Sequence, residues 1–181
     1  MRRPYDRPVS VRHRIDAARS AVWIDATSSV HPIHTKATGL DGYVTLTMGG
    51  DGAVDVTAPV AGHLSLPVSR LRSPNPLEDR ELKRRIDAKR FPTIDGELRS
   101  IRPADGPAGR YVVAGDLTFR GVTVVCEDEL TIGRDDDGAV HLAGSSVFDV
   151  RDFGMEPPRI LVLRVHPEVR VRVELVAVPE G

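Results

Sequence analysis

The chain has 181 residues, a mass of 19.7 kDa, 40% hydrophobic residues and a formal net charge of -1. That size and composition fit one globular domain with a real core and exclude a disordered chain. The near-neutral balance excludes a global pull toward nucleic acid or an anionic membrane, and a single cysteine, Cys126, excludes an intramolecular disulfide.

Residues 1 to about 19 hold Arg2, Arg3, Arg7, Arg12, Arg14 and Arg19, diluted by Asp6 and Asp16. They read as a basic flexible arm, with the folded domain spanning 20–181. No apolar run follows Arg2-Arg3, as a secretory or twin-arginine signal requires, so the chain is expected to be cytoplasmic. Nor does any stretch reach the roughly 18 apolar residues of a membrane helix, so no integral membrane segment is expected.

The body alternates. Val44, Leu46 and Met48 share one face of Tyr43 to Met48. Tyr111, Val113, Leu117 and Phe119 share another, and Val122 to Ile132 is β-branched and apolar. Val140 to Phe148 makes a further strand. The clearest is Val169 to Leu175, apolar at odd positions and charged at Arg170, Arg172 and Glu174. Gly49 to Gly52, Pro103 to Pro107 and Gly133 to Gly138 punctuate these runs as turns, the last with Asp135, Asp136 and Asp137 as hairpin rather than calcium residues. The pattern is that of a sandwich or a barrel.

One segment has helical spacing. Asn75 fits a cap, Pro76 the first helical position and Glu78 the third. Asp79 with Lys83 and Glu81 with Arg85 are charge pairs four apart, and Leu82 and Ile86 share an apolar face. The helix is expected over about 76–88, before Phe91-Pro92.

His31 and His34 resemble a metal pair, but residues three apart in a strand point to opposite faces, so no metal is expected. Ser145 and Ser146 lack a nucleophile elbow, and no dinucleotide or Walker motif is present, so no cofactor is expected either. Cys126 reads as an inert strand thiol.

Four motifs occur in a set order. They are Val22-Trp23-Ile24-Asp25 with Ser28-Ser29-Val30-His31, the charged helix closed by Arg90-Phe91-Pro92-Thr93-Ile94, Leu117-Thr118-Phe119-Arg120-Gly121-Val122-Thr123, and Arg151-Asp152-Phe153-Gly154-Met155. In this order they resemble the YceI-like, polyisoprenoid-binding family over about residues 20–178. The resemblance implies an all-β fold, a single antiparallel eight-stranded lipocalin-like barrel with one short helix. It also implies a lumen that holds isoprenoids or related amphiphiles. The usual His-Gly of that family is Arg120-Gly121 here.

A barrel of eight strands is just wide enough to be filled or to hold one small ligand. Aromatics that would fill it are only 4% of the chain, and Gly115, Ala143, Gly144, Ser145 and Ser146 lie in strand runs. The expected function is therefore a carrier of an isoprenoid-like or other long apolar molecule, held by burial worth roughly 25 cal/mol per Å². Trp23, Phe91, Phe119, Phe148 and Phe153 are the expected apolar contacts, and His34, Arg120 and Arg151 the expected polar ones. The alternative is a cyclase- or isomerase-type enzyme on the same barrel, with His31, His34, Asp25, Arg120 and Asp152 as acid–base candidates. The expected partner is that apolar small molecule rather than nucleic acid, and the valine-rich edges permit a homodimer.

Overall fold

Period-two alternation makes a strand wherever one face can be buried and the other kept wet. The computed structural model describes residues 9–157, 159–160 and 162–181. Its strands are β1 (Ser10–Ile15), β2 (Ala21–Ser28), β3 (Pro32–Ala37), β4 (Asp41–Thr47) and β5 (Ala61–Pro67). After the helix α1 (Pro76–Ile86) come β6 (Thr93–Pro103), β7 (Arg110–Phe119), β8 (Val122–Arg134) and β9 (Val140–Asp149). The short β10 (Arg159–Ile160) and the long β11 (Leu163–Pro179) complete the set.

All pairings are antiparallel, and the sheet closes where β1 and β2 both meet β11. Strands β1 and β2 follow one another along β11, with His13 opposite Pro179 and Trp23 opposite Arg172. The break between them is stitched to one residue of β11. Asp16 N donates to Val176 O at 2.8 Å, and Val176 N donates to Ser20 Oγ at 3.0 Å. Strands β3 and β4 follow one another along β2 and β1 in the same way. Each of these pairs fills one position of the ring, so the described residues form a closed eight-stranded antiparallel barrel, with β10 folded back on β11. Among them no helix is long and apolar enough to cross a membrane.

Strand β1 corrects the expected boundary, because residues 10–15 belong to the barrel and not to a flexible arm. His13 and Ile15 are buried, while Arg12 and Arg14 are exposed. Arg12 reaches Glu180 at 2.9 Å and lies over the Tyr43 ring at 3.5 Å. An arginine stem covers apolar surface while its head stays wet, so arginine-rich alternation is compatible with a strand. Arg2, Arg3 and Arg7 lie outside the described residues.

Helix α1 begins as its sequence dictates, with Asn75 Oδ1 accepting from Leu77 N at 3.0 Å. It ends at Ile86, two residues short of expectation, because Asp87 turns into the left-handed region at φ 57°. Glu81 pairs with Arg85 as expected and also with Arg84, at 2.8 and 2.6 Å. Those hydrogen bonds, Arg84's first, hold the Glu81 carboxyl down to about 2. Asp79 does not pair with Lys83; its carboxylate accepts from Ser73 N at 2.7 Å and fixes the entry to the helix.

The interior is packed unevenly along its length. At one end Ile15, Leu46, Tyr111, Ile132, Val140 and Ala177 are buried against one another. The Tyr111 hydroxyl reaches across to accept from Val54 N at 2.8 Å, so the phenol has a buried partner. The other end is closed by α1 and by a 3-10 turn, Val150–Phe153, and it is not filled.

Candidate functional site

A cavity of about 290 Å³ occupies the unfilled half of the lumen. Period two places Val169, Val171 and Val173 of β11 on its wall, while Arg170 and Arg172 stand outside. Leu64 and Leu66 of β5, with Leu117 and Phe119 of β7, line the facing side. Leu82 and Ile86 close it from α1, the face that their spacing of four predicts. A side lobe of about 80 Å³ beneath the helix shares Ile24, Thr35, Leu82, Val150 and Met155 with the main cavity.

Two glycines act oppositely here. A Cβ on Gly144 would lie 2.3 Å from Leu130 Cδ2 and 2.7 Å from the Glu129 carbonyl, so this glycine permits close strand approach. A Cβ on Gly96 would meet only Leu64 Cβ, at 4.0 Å, so the absent side chain there is cavity space. Gly115 belongs with Gly144, its Cβ position being 2.5 Å from the Glu97 carbonyl. Ser145 and Ser146 both border the cavity, Ser146 half-buried and Ser145, like Ala143, exposed.

The lining is apolar apart from Gly96, Gly144 and the polar Thr35, Asp128, Ser145 and Ser146. Asp128 is its charged member. It lies on the face of β8 shared with Leu130 and Ile132, and its Oδ1 accepts from Ser146 Oγ at 2.6 Å. Cys126 is half-buried on that same face. Burial, and then the charges of Asp128 and Asp116, push its thiol pKa up and keep it protonated and unreactive.

Of the residues singled out from the sequence, Phe119, Phe148 and Phe153 line the cavity. Phe119 and Phe153 meet edge to face, with centroids 5.7 Å apart. Trp23 does not join them. Its neighbours Val22 and Ile24 take the inward positions, and the indole stands outside between Arg172 at 4.1 Å and Lys36 at 5.3 Å. His34 is also outside, 2.6 Å from Asp25 of the paired strand. His31 sits on the β2–β3 turn, with Nε2 3.8 Å from the buried Glu78. Phe91 packs beside Gly121 and under Arg90 and is not among the lining residues.

Arg151, an expected polar contact, and Asp152, an acid–base candidate, lie in the 3-10 turn, both exposed, with Arg151 Nε 3.0 Å from each oxygen of Asp149. The turn is capped by Asp149 and ended by Gly154 at φ 66°, which drops Phe153 and Met155 inward. Arg120 and Gly121, at φ 51° and 75°, form the two-residue turn between β7 and β8. Arg120 Nη1 then donates to the Gly154 carbonyl at 2.7 Å, and its Nε is buried without a partner. The arginine thus straps the hairpin to the turn that closes the cavity. Arg120→Asn keeps a residue tolerant of positive φ but removes the strap. We expect local opening of 150–155 to become about fivefold more frequent by hydrogen exchange, a loss of roughly 1 kcal/mol, with β11 unchanged.

The sequence reading missed Leu64, Leu66, Gly96 and Asp128. Asp128 had a signal: a carboxylate at the inward register of Val124, Cys126, Leu130 and Ile132.

The fold is similar to that of several solved structures. Burkholderia cenocepacia BcnA superposes with a TM-score of 0.74 at 19% identity, covering 90% of this chain and 99% of that one. A polyisoprenoid binding domain from Saccharophagus degradans gives 0.75 at 12% identity, covering 94% and 99%. The Campylobacter jejuni YCEI protein gives 0.59 at 15% identity, covering 78% and 82%. No curated protein sequence matches the chain. The model of the YceI-like domain matches residues 13–177, nearly the whole described barrel, and the chain belongs to the YceI-like family.

Proposed function

We propose that this protein binds and carries one apolar chain molecule in the unfilled half of its lumen. The observation that carries the reading is a cavity of about 290 Å³ with almost wholly apolar walls, closed by a helix and a turn. A void of about 150 Å³ holds benzene, so this one suits on the order of a dozen carbon atoms. The isoprenoid named for the Saccharophagus degradans domain is a ligand of this class. Each buried methylene contributes about 0.8 kcal/mol, so such a chain binds well with little polar help.

The placement of titratable groups favours binding over chemistry. His31, His34, Asp25, Arg120 and Asp152, the acid–base candidates, are all absent from the lining. The test is titration of the purified protein with an environment-sensitive fluorophore such as N-phenyl-1-naphthylamine. Saturable binding of one probe per chain, displaced by dodecanol, is expected. A probe that does not bind, or that binds without saturation, contradicts the reading.

A further inference from the structure

The polar end of the lumen bears on which head group a ligand carries, a question that rests on the lumen being the binding site. Main-chain pairing of β8 with β9 runs from Arg134 opposite Val140 to Leu130 opposite Gly144 and goes no further. Beyond that point β8 pairs only with β7, and β9 only with β11. Asp128 and Ser146 stand where the two strands part, and their side chains bridge the gap at 2.6 Å.

The capacities of the pair are unequal. The Ser146 hydroxyl spends its hydrogen on Asp128 Oδ1. Asp128 Oδ2 accepts no side-chain hydrogen bond from the described residues, and no ion pair engages the carboxylate. Among the described residues no lysine, arginine or histidine lines the main cavity, and the side lobe brings His166 together with Glu78 and Asp79. The main cavity therefore offers one carboxylate and, among the described residues, no cation to balance an incoming anion. Asp128 is half-buried; an occupant that covered its free oxygen without donating to it would leave that acceptor unsatisfied, which is costly, and a second negative charge beside it is more so.

We infer that Asp128, held by Ser146, selects amphiphiles whose head donates a hydrogen bond, an alcohol, phenol or amine, and rejects those with a carboxylate or phosphate head. The donor satisfies Oδ2 while the chain lies along the valines of β11. Rejection of the anion comes from repulsion and an unpaired acceptor, a discrimination built as much against the wrong ligand as for the right one.

The experiment is displacement of N-phenyl-1-naphthylamine from the full chain by four ligands of equal length: dodecanol, dodecylamine, dodecanoate and dodecyl phosphate. The alcohol and the amine are expected to displace the probe at concentrations at least about tenfold lower than either anion. Asp128→Asn is nearly isosteric and can keep a bond to Ser146, and it should narrow that gap to within about threefold. Alcohol and amine are told apart by the variant, since Asp128→Asn weakens the cation more than the neutral donor. Equal displacement by all four ligands, or a gap that survives Asp128→Asn, overturns the inference while the lumen reading stands. If neither the probe nor any of the four binds, the lumen reading falls and the inference with it.

Discussion

Gly96→Leu is expected to weaken binding of a dodecyl-chain ligand by at least about tenfold while leaving the barrel folded. The position is inward on β6, opposite Leu117, and the nearest atom to a new Cβ is Leu64 Cβ at 4.0 Å. Four added carbons would take about a third of the space available to a chain of roughly a dozen. At about 0.8 kcal/mol per displaced methylene the loss approaches 3 kcal/mol, and a ligand that shifts toward the side lobe recovers part of it. Stability should hold or rise, because the leucine fills space among Leu64 and Leu117. Probe titration and urea unfolding on one preparation read both quantities. Unchanged affinity in a folded Gly96→Leu protein would place the ligand elsewhere.

The second large effect falls at the opposite end. Leu46 is 0% exposed and lies among the packed residues with Ile15 and Tyr111. Leu46→Ala should cost about 3–4 kcal/mol, a large part of the stability of an ordinary domain, because the surroundings cannot collapse onto the missing atoms. Leu82→Ala on the helix should cost roughly half as much, since Leu82 already faces empty space and has fewer contacts to lose. Urea unfolding separates the two. At low denaturant Leu46→Ala should bind probe within about threefold of the parent, and Leu82→Ala should not. Equal destabilisation by both would mean that the interior is not divided into a packed and an open half.

Much of this division was legible in the sequence, and the rest was hidden for physical reasons. Strand β11 declared itself because Val169, Val171 and Val173 alternate with charged residues without interruption. Helix α1 declared itself through Asn75, Pro76 and the Leu82–Ile86 pair. Strand β6 did not, because its inward series is Ile94, Gly96 and Leu98, and the glycine that leaves cavity space removes the apolar residue that would have marked the strand. Asp128 was passed over because a carboxylate interrupts the otherwise apolar inward register of β8. Strand β1 was hidden by its arginines, whose stems pack while their heads remain in water. The aromatic residues divided between lumen and surface, and only register settles which is which. Phe119, Phe148 and Phe153 fall on the inward count, whereas Trp23 falls between Val22 and Ile24.

The Arg151-Asp152-Phe153-Gly154-Met155 motif also takes on a physical role. It marks the 3-10 turn whose left-handed glycine drops Phe153 and Met155 into the end of the lumen, where Phe119 meets Phe153 edge to face. Arg120, the departure from the usual histidine, holds this turn through the Gly154 carbonyl and leaves the cavity itself to valines, leucines and phenylalanines.

The most direct measurement is native mass spectrometry of the freshly purified protein, followed by solvent extraction and identification of what is released. A stoichiometric adduct of a single apolar molecule with a donor head is expected, lost in Gly96→Leu. A bare mass that stays bare after incubation with dodecanol, in a protein shown to be folded, would contradict it.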